Sequence, residues 1–146
     1  MQLSGLVLTF ELYAVQIAYT SRREVSIFDI VYNSSQPAEV LRWHDGSTYA
    51  TQFLSDVAFV NGGTRVLASD SYCGVINVWD RRVSDLPQIG FTSSHINSAP
   101  CGVTSIQLLG DQYIYGACKN GFINIWDLRG GRSVGSLRNN EVVYLF

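Results

Sequence analysis

Two stretches, GVINVWDRR at Gly74–Arg82 and GFINIWDLR at Gly121–Arg129, agree at six of nine positions. The shared letters are the Gly, Ile, Asn, Trp, Asp and final Arg, and Trp79 and Trp126 stand 47 residues apart (126 − 79). Self-similarity at a fixed spacing of roughly 20–50 residues marks a repeat architecture.

Working outwards from Gly121, β-rich runs alternate with turn residues. Val103–Leu108 precedes a turn at Gly110-Asp111, and Tyr113–Cys118 precedes one at Lys119–Gly121. Phe122–Trp126 and the weaker run Ser133–Leu137 complete four short strands. The phrase at Gly74 sits in the same frame: Asp56–Val60, a turn at Asn61–Gly63, Arg65–Ser69, Val75–Trp79 and Leu86–Phe91. A degenerate third copy lies upstream, where Glu24–Asp29 carries Phe28 in place of the Trp and Ala38–Trp43 leads out. Asp29 and Asp80 are 51 residues apart (80 − 29). Helical periodicity is not sustained anywhere in the chain, so the expected class is all-β.

Alternation along a strand puts Ile76 and Val78 on one face and Asn77 and Trp79 on the other. Both faces carry large groups, which suits a sheet packed between two neighbours. The Trp-Asp endings, the two spacings and the four-strand units resemble WD40 repeats over essentially the whole chain. That resemblance implies a partial β-propeller of about three four-stranded antiparallel blades. Blade 1 spans about 1–43, blade 2 about 51–91 and blade 3 about 95–137, with 138–146 opening a missing blade. Three blades are fewer than the four or more that close a ring, so the expectation is a fragment, isoform or incomplete gene model of a larger protein, or a ring completed by oligomerisation.

The family's blades often hold a buried tetrad of Asp, His, Ser/Thr and Trp. Alignment puts Tyr72 and Lys119 at the Asp position, and His44 and His95 lie too far upstream, so packing is expected to replace that network. The recurring Asn77 and Asn124 are expected to hydrogen-bond neighbouring backbone. Tyr113, Tyr115, Phe122 and Trp126 are expected in the core, and Trp43 between blades.

Composition narrows the function. Of 146 residues, 47% are hydrophobic and 15% charged, which fits a folded domain rather than a polar disordered chain. A net charge of −2 gives no electrostatic footprint for nucleic acid. The apolar start, MQLSGLVLTFELYAVQIAY, lacks a basic lead and is interrupted by Thr9, Glu11 and Gln16. It therefore fits two strands, near Leu6–Phe10 and Tyr13–Tyr19, better than a signal peptide or membrane helix. Cys73, Cys101 and Cys118 are odd in number and lack CxxC spacing. That pattern points to an intracellular protein, nuclear or cytoplasmic, with neither disulfide framework nor zinc site. The lone sequon Asn33-Ser34-Ser35 does not offset this.

One catalytic-looking motif, Gly131-Arg132-Ser133-Val134-Gly135, fits G-x-S-x-G. A nucleophile elbow needs a following helix and a downstream His, but no helical pattern follows and both histidines lie upstream. The glycine pairs Gly62-Gly63 and Gly130-Gly131 read as turns rather than phosphate cradles. No catalytic, cofactor or metal residues are expected, and the protein is read as non-enzymatic.

The endings Trp79-Asp80-Arg81-Arg82 and Trp126-Asp127-Leu128-Arg129 both fit W-D-x-R. This is similar to the box of WD-repeat substrate receptors of cullin–RING ubiquitin ligases, in which two successive blades dock on the ligase's damage-binding adaptor. The resemblance implies adaptor binding by Trp79, Asp80, Arg82, Trp126, Asp127 and Arg129. Phe28-Asp29-Ile30-Val31 lacks the Arg. The alternative is a generic WD40 scaffold, in which Arg82 pairs with Asp80 inside its own turn.

Overall fold

The computed structural model describes residues 10–13, 16–21, 23–32, 35–43, 54–92 and 101–138. Every regular element among them is a strand. The first sheet comprises β1 (Phe10–Tyr13), β2 (Gln16–Ser21), β3 (Glu24–Asp29) and β4 (Glu39–Arg42). The second comprises β5 (Leu54–Val60), β6 (Arg65–Asp70), β7 (Val75–Asp80) and β8 (Ile89–Thr92). The third comprises β9 (Val103–Leu109), β10 (Tyr113–Cys118), β11 (Phe122–Asp127) and β12 (Arg132–Arg138). Each is an antiparallel meander in chain order, so three four-stranded sheets form an all-β molecule.

The sheets repeat one another in register. Ile17 pairs with Phe28, Val66 with Trp79 and Ile114 with Trp126. Glu24 pairs with Arg42, Val75 with Thr92 and Phe122 with Arg138. Phe28, Trp79 and Trp126 are thus one position seen three times, and so are Arg42, Thr92 and Arg138. The phrases' opening glycines are turn residues with positive φ, 70° at Gly74 and 80° at Gly121. L side chains rarely adopt that backbone conformation, which glycine reaches without steric cost.

The middle sheet is packed on both faces. Its Trp79 face, with Leu54, Val57, Phe59, Val66 and Ala68, meets Ala18, Val25, Ile27 and Leu41 of the first sheet. Its other face, with Leu67, Ile76, Val78 and Phe91, meets Val103, Ile106, Ile114 and Trp126 of the third. Ile76 and Val78 therefore point opposite to Trp79, as alternation requires. Strand β5 contacts β1 and β2 on one side and β9 on the other. Trp43 packs against the first inter-sheet cluster.

Several expectations change. The run Tyr13–Tyr19 is not one strand, because the pair Tyr13↔Gln16 closes the β1–β2 hairpin there. Ala14 and Val15 carry no turn signal, so composition conceals the break. Tyr113 and Tyr115 are only half-buried, since the outer face of the third sheet has no sheet against it among the described residues, and Phe122, on the Trp126 face, is half-buried at the sheet's end beneath the Arg138 guanidinium. Of the first expected strand, only Phe10 lies within the described residues. His44, His95, Asn33, Ser34 and 139–146 lie outside them. No described helix is long and apolar enough to cross a membrane.

Candidate functional site

The W-D-x-R endings all occur where a third strand leaves its sheet, so the site is a rim. Its first layer is the aspartate. Asp29 Oδ1 accepts the Val31 N–H at 3.0 Å, Asp80 Oδ1 that of Arg82 at 3.2 Å, and Asp127 Oδ1 that of Arg129 at 3.0 Å. An Asp that bonds the N–H two residues on is an Asx turn, which ends the strand with its donors satisfied. The repeated Asp thus has a structural task in every sheet.

The tryptophans lie inward of this rim. Trp79 and Trp126 are almost fully buried. The Trp79 indole N–H donates to the Arg42 carbonyl at 2.8 Å, and that of Trp126 to the Thr92 carbonyl at 3.0 Å. Each indole therefore reaches the last residue of the preceding sheet. Tyr72 and Lys119 are exposed, and the histidines of the expected tetrad, His44 and His95, lie outside the described residues. With their rings between sheets, Trp79 and Trp126 support the rim from below, and Asp80, Arg82, Asp127 and Arg129 form its outward part.

The four residues are not arranged alike. Arg82 folds back on Asp80, with Nε to Oδ1 at 2.9 Å and Nη2 to Oδ2 at 2.7 Å. Those bonds from Arg82 hold the Asp80 carboxyl well below the usual carboxylate range, with Arg65 adding to the effect from 3.5 Å. The same contact raises the Arg82 pKa further. Arg129 is exposed, and its guanidinium has no side-chain or carbonyl partner among the described residues. A free guanidinium offers a fixed fork of donors to an incoming carboxylate or carbonyl.

Sequence reading missed the residue between. Arg81 donates from Nε to Glu39 at 2.7 Å, and from Nη1 to Gln16 at 3.1 Å and to the Gly63 carbonyl at 2.7 Å. It ties the second sheet to the first. Its counterpart Leu128 is instead buried in the core between the second and third sheets. Asp56 was also missed: its Oδ2 accepts from Ser105 Oγ at 3.0 Å and from the Ile106 N–H at 2.8 Å, linking the second and third sheets.

The recurring asparagines depart from expectation. Asn124 Nδ2 donates to Cys118 Sγ at 3.4 Å, whereas Asn77 Nδ2 has no partner among the described residues. Burial pushes the Cys118 thiol up to about 11, with Cys101 adding to the rise and Asn124 opposing it. Ser133 lies on exposed β12, paired with Trp126, and no described group of three or more His, Cys, Asp or Glu could hold a metal ion. No model of a known protein family matches the chain, and no curated protein matches it.

Proposed function

We propose that the three sheets are blades of a WD40-type β-propeller and that the protein works by binding other proteins, as a substrate receptor docking on the adaptor of a cullin–RING ubiquitin ligase. The observation that carries this is the equivalence of Arg82 and Arg129. Both follow an Asx turn at one register position of adjacent sheets, and both are exposed. The repeated Gly, Trp and Asp each have a task within the fold, but the guanidinium of Arg129 has none among the described residues. Arg is also enriched where a few residues carry most of an interface's energy. The propeller reading is supported by the shared register and by the indole–carbonyl bond recurring between successive sheets.

A second reading, a scaffold for another assembly, draws on the Asp80–Arg82 pair, which gives Arg82 a purpose without any partner. Co-precipitation of the full chain with the ligase adaptor separates the two. Wild type is expected to bind and Arg82→Ala/Arg129→Ala to lose binding, with circular dichroism unchanged. Equal binding by both, or by neither, would favour the scaffold.

A further inference from the structure

Two interfaces inside the chain have the same two halves. The receiving half is the face opposite the Trp position: Ala18, Val25, Ile27 and Leu41 in the first sheet, and Leu67, Ile76, Val78 and Phe91 in the second. All eight side chains are nearly or fully buried. Register assigns the same positions in the third sheet to Tyr115, Ile123, Ile125 and Leu137. None of these is buried, and Leu137 is 57% exposed where Leu41 is 0% and Phe91 3%. Tyr115, Ile123 and Leu137 line an open hollow together with Gln107 and Ala117.

The inserting half also has a representative without a sheet against it among the described residues. It is the Trp-position face of the first sheet, carrying Ile17, Tyr19, Ser26 and Phe28. Where Trp79 lies diagonal to small Ala68 and Trp126 diagonal to Gly116, Phe28 instead stacks on the diagonal Tyr19 with ring centroids 5.6 Å apart. Two aromatic rings supply the bulk that one indole supplies elsewhere; Phe28 and Ser26 are buried within the chain, and Tyr19 and Ile17 are the half-buried part of this face.

The geometry points to a second copy of this chain as the occupant of the third sheet's outer face, with the copy's Tyr19–Phe28 stack inserted where the next indole would lie. The contact is head to tail and continues the interface already present twice within each chain. Two copies joined by a two-fold axis make this contact twice and close a ring of six sheets, a number within the propeller range. The paired faces are apolar, so hydrophobic burial is the driving force.

The test is the mass of the full chain by light scattering on a sizing column, with variants that alter only the two faces. Wild type is expected to run as a dimer. Leu137→Asp and Tyr19→Ser are each expected to raise the dimer dissociation constant at least about tenfold, with circular dichroism unchanged. An equimolar mixture of the two variants pairs one intact receiving face with one intact inserting face, so it is expected to recover dimer that neither forms alone. A monomeric wild type would overturn the proposal. So would a dimer sensitive to Leu137→Asp but indifferent to Tyr19→Ser, which would mean that the third sheet pairs with itself or with another surface.

Discussion

Asp80 ends a strand, as Asp127 does, and it also holds a guanidinium in two hydrogen bonds, which Asp127 does not among the described residues. The first task uses the backbone N–H of Arg82 and survives truncation of its side chain to Ala. The second is what depresses the carboxyl. In Arg82→Ala the Asp80 carboxyl is expected to titrate closer to the ordinary value of about 4, while in wild type it stays ionised well below that. Carbon-detected NMR of the side-chain carboxyl across an acid titration reads the difference directly. The linkage sign follows, because a carboxylate with a lowered folded-state pKa stabilises the fold at neutral pH and loses that contribution only as pH falls below about 4. The pair is solvent-screened, so at pH 7 the unfolding midpoint of Arg82→Ala is expected to move little. An unchanged Asp80 titration in the variant would show that Arg65, not Arg82, sets the charge state.

The paired second and third strands of each sheet solve one volume problem in three ways. The residue diagonal to the Trp position is Tyr19, Ala68 or Gly116, and the aromatic beside it is Phe28, Trp79 or Trp126. A Cβ built on Gly116 would lie 2.7 Å from Trp126 Cζ3, so Gly116→Ala forces the indole to shift. It is expected to cost about 1–3 kcal/mol in urea unfolding. Adding Trp126→Phe is expected to cost less in that background than in wild type, because the overpacking is relieved and neighbouring substitutions do not add. Additive costs would mean that the two side chains do not share the space. This compensation shows what was legible in the chain. Strand alternation and the turn glycines Gly74 and Gly121 announce the meander, since period 2 and positive φ are local properties. The partition of bulk across paired strands is not local, and neither is the end of β1 at Tyr13, since the letters that follow, Ala14 and Val15, read like strand. The rim is legible to the same degree. The Asx turns follow from each Asp alone, whereas nothing in W-D-x-R distinguishes Arg81, a latch, from Leu128, a core residue. Their roles depend on partners in another sheet, with Gln16 and Glu39 lying 65 and 42 residues before Arg81.

Across the whole molecule, the two inter-sheet junctions share the indole–carbonyl bond but differ in what surrounds it. Between the first and second sheets, Arg81 reaches Glu39 and Gln16 while the Gly63 carbonyl of its own sheet holds it in place, the Arg42 N–H donates to the Asp85 carbonyl at 2.7 Å, and the exposed Arg42–Asp85 ion pair lies at 3.0 Å. Between the second and third, the polar links are Ser55 Oγ to the Val103 carbonyl at 2.6 Å, the Asp56 contacts, and the Asn61 N–H to Asp111 at 2.9 Å. The first junction thus hangs its polar contacts on two arginines, Arg81 and Arg42, and the second spreads them along β5 and the turn that follows. Loss of Arg81 should therefore loosen the first sheet without disturbing the third. Arg81→Ala leaves Glu39 without its cation partner and removes both side-chain links to the first sheet, so it is expected to cost about 1–3 kcal/mol. That cost falls on one cooperative unit rather than on all three sheets. Amide hydrogen exchange is expected to quicken in β2 and β3, while β10 and β11 keep their protection. If exchange quickens equally in all three sheets, the molecule opens as one unit and Arg81 contributes only to its total stability.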